Sequence, residues 1–284
     1  MKIQYKILIL LLLFISIISG LIYDSYYIAP KRFIIRYETA SSVRIPKELN
    51  DINILFFSDL HYGLFMDDDR LQSLIKTINS SSPDVVIFGG DLINGTISEE
   101  NKQNLIGFLK GINAPLGKFA VYGDYDISNI DLVNEILNKS NFEVLNNKGI
   151  QLRNKGSQSI NLIGLNNEDS ADLNINQAYE NVVRTAYTIT VCHTPDTANK
   201  IPRESSDLYL TGHSLGGQVF YLFDSLYKPD FTSYYFRGKH KLENKINIDV
   251  SSGTGTIIKD IRFLSNAEVV VYRLKNLEVQ EASQ

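Results

Sequence analysis

Cysteine, histidine and positive charge are what this chain has little of. One cysteine, Cys192, in 284 residues excludes an internal disulfide and any thiolate-ligated zinc cluster. It lies inside an apolar stretch and reads as a small buried hydrophobe rather than a nucleophile. Basic residues are outnumbered, 28 against 32 acidic ones, for a net charge of −4. Setting aside Lys2 and Lys6 at the N-terminus leaves 26 against 32. That balance excludes a broad basic face and argues against nucleic-acid binding. Repeats and low-complexity tracts are absent. No Lys-Ser/Thr pair follows Gly253 and Gly255, so these glycines predict a tight turn rather than a phosphate-cradling P-loop.

Long apolar runs are also scarce, and the one that exists is at the start. Ile7–Tyr23 is apolar almost throughout, preceded by Lys2 and Lys6, and long enough for one membrane span. Ser16, Ser19 and Gly20 make a poor signal-peptidase site, so an uncleaved anchor is the better reading. Lys31, Arg32 and Arg36 compete with the N-terminal lysines in setting orientation. The short N-terminal flank favours a cell-membrane, single-pass chain with its domain on the extracytoplasmic side. The expected organisation is an anchor over 1–25, a connector and edge strand over 26–50, one domain over 51–276 and a tail over 277–284.

Within that domain one pattern recurs. Leu55-Phe56-Phe57-Ser58-Asp59-Leu60-His61 is a strand-length apolar run ending in an Asp and a His. Asp84–Asp91, Phe119–Asp124, Thr188–His193 and Leu208–His213 repeat it, each an apolar run delivering an Asp or a His at its end. Open α/β sheets put their sites at that carboxyl edge. Of only four histidines, three fall in this set, and His240 does not. Together the runs offer Asp59, His61, Asp91, Asp124, His193 and His213. Three carboxylates and three imidazoles exceed what one tetrahedral ion needs. Two divalent ions sharing a carboxylate use them better, an arrangement suited to phosphoester hydrolysis.

The series resembles the calcineurin-like metallophosphoesterases. The family order D-x-H, G-D, G-N-H-[DE], H, G-H-x-H is matched by Asp59/His61, Gly90-Asp91, Gly123-Asp124-Tyr125-Asp126, His193 and Gly212-His213-Ser214-Leu215. The likeness runs from about Ile52 to Leu274 and is greatest to the membrane-anchored bacterial branch, which includes hydrolases of UDP-diacylglucosamine. Gly216-Gly217-Gln218 and Ser252–Gly255 fit that branch. The resemblance implies a four-layer αββα sandwich of two mixed sheets flanked by helices, after one transmembrane helix. It implies that Asp91 bridges two metals, with Asp59 and His61 on the first and Asp124, His193 and His213 on the second. An activated hydroxide would then attack a phosphomonoester or phosphodiester. The expected catalytic residues are Asp91, Asp124 and Tyr125. The anchor makes a lipid-linked substrate reasonable, and no protein partner is implied.

Three departures from the family pattern matter. Its Asn is Asp124, an oxygen donor with an added charge. Its phosphate-contacting His is Tyr125, whose phenol is a poor proton shuttle at neutral pH. Its last His is Leu215, which removes a nitrogen ligand from the first metal. The site becomes harder and richer in oxygen, favouring manganese, with magnesium, iron and zinc as alternatives. A homologue that only binds metal and a phosphorylated ligand is the competing outcome. A third reading takes Gly212-His213-Ser214-Leu215-Gly216 as the nucleophile elbow of a serine esterase, which needs a strand, a sharp turn and a helix. The following residues, 218–223, read instead as extended.

Around these motifs the spacing predicts helices over 67–80, 99–111, 130–138 and 175–184. Short strands are expected over 142–145, 150–153, 160–165, 219–223, 246–250 and 269–274, and an edge pair from 36–39 and 42–45. His240 and its basic neighbours read as a solvated loop, and the aromatics between Tyr227 and Phe236 as core. Asn166, Asn167, Glu168 and Asp169 are either substrate-facing or a polar turn.

Overall fold

The computed structural model describes residues 2–281 apart from 169, 222–223 and 243–245. Helix α1 (Lys2–Tyr23) is exposed from Ile3 to its end. It passes through the short helical turns Asp24–Ile28 and Ala29–Lys31 into β1 (Phe33–Ser42). The expected hairpin over 36–45 is therefore one long strand. Its partner is β14, in parallel register from Phe33–Ala267 to Ser42–Asn276, so residues 43–45 are free to turn.

The first half continues as β2 (Asn53–Phe57), α2 (Asp68–Ser80), β3 (Val85–Phe88), α3 (Glu99–Lys110), β4 (Lys118–Ala120), α4 (Asp124–Ile127), α5 (Ile130–Lys139) and β5 (Glu143–Val144). The second contains β6 (Lys148–Leu152), β7 (Ile160–Gly164), α6 (Ile175–Ala178), β8 (Thr188–Val191) and β9 (Leu208–Thr211). It ends with β10 (Phe220–Tyr221), β11 (Asp224–Ser225), β12 (Gly238–Lys241), β13 (Asn247–Val250), β14 (Ala267–Asn276) and α7 (Leu277–Glu281). Two mixed six-stranded sheets result, ordered β1-β14-β2-β3-β4-β5 and β12-β13-β9-β8-β7-β6.

Strand alternation explains the layering. Ile54 and Phe56 of β2, with Val85 and Ile87 of β3, face the other sheet, meeting Leu162, Ile189 and Leu210. Leu55, Phe57, Val86 and Phe88 point the opposite way, onto Leu71, Leu74 and Ile78 of α2 and Leu105 and Leu109 of α3. Each fully buried Leu or Ile contributes about 1.5–3 kcal/mol. Asp67 caps α2 by accepting the Arg70 N–H at 2.9 Å, and Ser98 caps α3 through Asn101 at 3.1 Å. The fourth layer, over Ile163, Cys192, Tyr209 and Ile248, is thin. Its expected helix over 175–184 stops at Ala178 because the Asn161 amide bonds both the N–H and the carbonyl of Val183, holding that segment in turns.

Three smaller expectations change. Only Phe220–Tyr221 of the strand expected over 219–223 is described as strand, and 222–223 lie outside the described residues. His240 sits in β12 rather than a loop, its Nε2 3.0 Å from the Arg237 carbonyl, because β13 gives its backbone a ladder to join. The aromatics of 227–236 are only in part core: Tyr235 packs against the cluster around Cys192 and Tyr209, whereas Tyr234 is 74% exposed and Tyr227 half-buried.

Candidate metal centre

The carboxyl ends of β2, β3, β8 and β9 lie side by side, because β2 pairs in parallel with β3 and β8 with β9. The ladder between the first pair runs on past the strands: Asp59 N–H bonds Gly90 O at 2.9 Å, and His61 N–H bonds Asp91 O at 3.0 Å. Here the chain must bend. Asp59, His61, Asp91 and His213 all have positive φ, 56°, 47°, 62° and 71°. Such left-handed backbone is uncommon outside glycine and gathers at functional sites. Gly123 allows the β4 turn to close on Asp91, since a Cβ there would lie 2.0 Å from Asp91 Oδ1.

All six residues named from the strand ends come together. Single donor atoms of Asp91, Asp124, His193 and His213 lie within 4.8 Å of one another, as do those of Asp59, His61 and Asp91. Asp91 belongs to both groups. His193 Nε2 is 3.1 Å from Asp91 Oδ2 and 3.1 Å from Asp124 Oδ1, and His213 Nδ1 is 3.0 Å from Asp124 Oδ1. His61 Nε2 stands 3.6 Å from Asp91 Oδ2.

The imidazoles are held from behind. His193 Nδ1 is 2.7 Å from the Gly89 carbonyl, and His213 Nε2 is 2.9 Å from the Asp230 carbonyl. A carbonyl only accepts, so each ring donates to it and turns its other nitrogen toward the cluster. Those nitrogens, His193 Nε2 and His213 Nδ1, have no hydrogen-bond partner, and neither has the buried Asp124 Oδ1. The carboxylates are braced too. His213 N–H donates to Asp59 Oδ1 at 2.9 Å, and Tyr125 N–H donates to Asp91 Oδ1 at 3.0 Å.

Electrostatics ask for a cation. Asp59, Asp91 and Asp126 are buried and Asp124 is partly so, yet among the described residues no Lys or Arg forms an ion pair with any of them. Burial, reinforced by Asp91, raises the Asp59 carboxyl above its ordinary range. It pushes Asp126 up to about 7, again with Asp91 as the second cause. Burial opposes charge on His193, but Asp91 and Asp124 overcome it and raise that imidazole well above normal. Divalent cations at this place would neutralise the cluster. The unpaired donor atoms, the donor types and the uncompensated charge all fit a metal pair.

Tyr125 lies at the edge of the site, its ring edge-on to His61 at 4.9 Å between centroids. Burial, then Asp91 and Asp124, raises its phenol pKa, so it keeps its proton at neutral pH. Leu215 is fully buried at φ 51°. Its carbonyl is held by Ser265 Oγ at 2.8 Å and by the Gln218 N–H at 3.0 Å. Ser214 leads into a 3-10 turn, Leu215–Gly217, and its Oγ accepts the Gly216 N–H at 3.2 Å. The helix that a nucleophile elbow requires does not follow.

Asp126, the last residue of the Gly123–Asp126 motif, accepts three backbone N–H groups: Asp91 at 2.9 Å, Leu92 at 2.8 Å and Gly123 at 2.8 Å. Other residues near the centre carried no sequence signal. Tyr227 reaches the cluster's field; burial, then Asp124, raises its phenol. Thr194, Pro229, Asp230 and Phe231 join Asp124 and His213 around a cavity of about 150 Å³. Of the Asn166–Asp169 group, Glu168 pairs with Lys200 and Thr197, whereas Asn167 is fully buried with neither amide atom partnered. Asp169 lies outside the described residues.

This geometry is that of a metal-dependent phosphoester hydrolase. The sequence profile of the calcineurin-like phosphoesterases matches residues 52–217, and the chain belongs to that family. It is 26% identical to the uncharacterized metallophosphoesterase YkuE of Bacillus subtilis, over 88% of each chain. It is also 26% identical to the UDP-2,3-diacylglucosamine pyrophosphatase LpxG of Chlamydia muridarum, over 81% of this chain and 86% of that one. A zebrafish (Danio rerio) transmembrane protein with a metallophosphoesterase domain is 25% identical over 82% of this chain and 55% of its own length.

Proposed function

We propose that this protein is a membrane-anchored phosphoesterase that holds two divalent ions, manganese or magnesium, and hydrolyses a phosphomonoester or phosphodiester on a lipid-linked substrate. The observation that supports it best is the set of buried, unpartnered donor atoms turned on one another with no Lys or Arg ion pair among the described residues. Asp59, His61 and Asp91 would hold one ion, and Asp91, Asp124, His193 and His213 the other. Bound there, the ions supply Lewis acidity that lowers the pKa of water and draws charge from phosphoryl oxygens. Three carboxylates against three imidazoles, with Asp124 a charged oxygen donor where the family has an amide, favour the harder cations.

The chain's own groups do the positioning. Asp126 fixes the turn carrying Asp91, while Gly89 and Asp230 orient His193 and His213. The Tyr125 phenol, protonated at neutral pH, donates a hydrogen bond to a phosphoryl oxygen instead of relaying a proton to the leaving group. Substrates with good leaving groups are then favoured.

The test is metal content together with hydrolysis of bis-p-nitrophenyl phosphate by the detergent-solubilised full chain, before and after adding manganese. Two ions per chain and manganese-dependent turnover lost in Asp91→Ala support the reading. Two ions without turnover would make the protein a binder of phosphorylated ligands. No metal at all would remove the basis of both.

A further inference from the structure

We infer that the metal-bearing edge of the domain is seated on the bilayer surface, with Ile258 and Leu264 in the lipid interface, so that substrate enters the site from the membrane. The seating stands on the anchor and the loops alone. The entry of substrate rests in addition on the function proposed above.

The first observation is how the anchor meets the domain. Helix α1 has 22 residues, or about 33 Å at the usual rise, enough for the hydrocarbon core. No slack tether follows it. The turns Asp24–Ile28 and Ala29–Lys31 connect it to β1, with Ser25, Ala29 and Pro30 buried against the domain. Tyr23 and Tyr27 pair at 5.0 Å, aromatics of the type that settle at headgroup level. Beside them the Ser25 carbonyl accepts the Arg262 N–H at 3.0 Å. The loop containing Arg262 is therefore fixed at the depth where the helix leaves the membrane.

The second observation is where that loop leads. The buried Arg262 guanidinium donates to the carbonyls of Ser252, Gly253 and Gly255 at 2.9, 3.2 and 2.7 Å. Gly253 walls Asp59, where an added Cβ would come within 2.7 Å of the carboxylate. Arg262 thus joins the membrane exit, through its backbone N–H, to the strand ends that carry the candidate metal ligands, through its buried side chain.

The third observation is the distribution of exposed apolar side chains. Beyond Ile28, ten large ones are exposed among the described residues, and seven of these lie in segments leaving the carboxyl edge. Ile258 and Leu264, 61% and 64% exposed, flank Arg262 itself. Tyr221, Leu226 and Tyr234 are on the neighbouring segment after His213. Ile258 has φ 60°, a conformation seldom adopted by a β-branched residue, so the turn spends strain to hold it outward. Val43 and Val183 are at the opposite, amino edge. An apolar rim around a polar centre marks an interaction surface, and the bilayer is the partner that α1 brings to it. A phosphoester at headgroup depth with its apolar part still in lipid would meet the centre through this rim.

The chain contains no tryptophan, so a single introduced indole reports its own surroundings. Full-length Ile258→Trp, Leu264→Trp and Val183→Trp are reconstituted into phosphatidylcholine vesicles with or without brominated acyl chains. A urea-unfolding midpoint equal to the parent's confirms the fold of each. We expect blue-shifted emission and about twofold quenching at 258 and 264, as for an indole ~5–10 Å into the interface. Val183→Trp should be unshifted and unquenched. Equal quenching at all three, quenching at 183 alone, or none would overturn the seating. This readout needs no turnover and so is separable from the proposed activity. For substrate entry, the double variant Ile258→Asp/Leu264→Asp should lose about tenfold on a vesicle-borne phosphodiester while keeping its rate on a soluble aryl phosphodiester. An equal fall on both, or on neither, would overturn entry from the membrane. Failure of the parent on both substrates would remove it together with the functional reading.

Discussion

Asp126 accepts the backbone N–H of Asp91 at 2.9 Å, and with it those of Leu92 and Gly123. One buried carboxylate therefore holds the ends of β3 and β4 together at the residue common to both groups of candidate ligands. Removing it leaves three buried donors unsatisfied, each costing about 1–3 kcal/mol. Asp126→Ala is expected to lose about 3–5 kcal/mol in urea unfolding, and metal affinity should fall about 10–100-fold. Asp126→Asn retains one accepting oxygen and should fall between Ala and the parent. A variant that unfolds early yet binds metal like the parent would limit Asp126 to a purely structural part.

Tyr125 stands where the family pattern has a histidine, so substitutions there separate binding from proton transfer. Tyr125→Phe removes only the phenol's hydrogen bond and is expected to cost less than about tenfold in kcat/KM. Tyr125→His restores a group with a pKa near operating pH and should raise turnover of alkyl phosphodiesters about 10²-fold. Aryl phosphodiesters, whose leaving groups need no proton, should change by much less. A leaving-group series measured on the three proteins decides this. Parallel lines for Tyr and His at 125 would show that proton transfer is not what Tyr125 limits.

Lys118 makes stability depend on pH, away from the candidate centre. It begins β4 with its side chain buried, donating to the Leu109 carbonyl at 3.0 Å and lying 5.0 Å over the Phe142 ring. Burial, then Lys110, lowers its pKa from 10.5 to about 8. Between those values the unfolded chain holds a proton that the folded chain has released, so stability rises with pH across that window. Below pH 8 the folded protein carries the full cost of a buried ammonium. Lys118→Met should therefore be about 1–2 kcal/mol more stable at pH 7, with the advantage fading toward pH ~10. Urea unfolding at several pH values reads the difference. An advantage independent of pH would assign the gain to packing rather than charge.

What could be read from the sequence follows from what is local. Ligand-type residues at strand ends announce themselves because an apolar run and its terminal Asp or His are contiguous, as from Leu55 to His61. The helices over 68–80 and 99–110 were equally legible, each from its apolar period. The roles of the supporting residues were not. Asp126 stands in the quoted motif, but it serves as anchor only because β3 and β4 are neighbours, and Arg262 meets Gly253 through a loop with no periodicity. The hairpin expected over 36–45 failed for the same reason: β14, more than 200 residues away, captures β1 as one strand. Asn161 likewise ends α6 from a different strand.

Leu215 makes the two groups of candidate ligands unequal. Asp91, Asp124, His193 and His213 form a set of four donors, whereas Asp59, His61 and Asp91 form a set of three. Two residues after His213, where the family pattern has a second histidine, stands a buried side chain that can donate nothing. Four donors bind a cation more firmly than three, so ions should enter in two separated steps. Turnover should follow the weaker step if both ions are required. Leu215→His supplies the missing imidazole and is expected to tighten the second step about tenfold or more while leaving the first unchanged. Manganese titration by calorimetry reads both steps on one protein, and the metal dependence of hydrolysis should shift by the same factor. A single step in the parent, or two that Leu215→His does not move, would mean that position 215 does not face the first ion. The three-donor group would then have to fill without help from this turn.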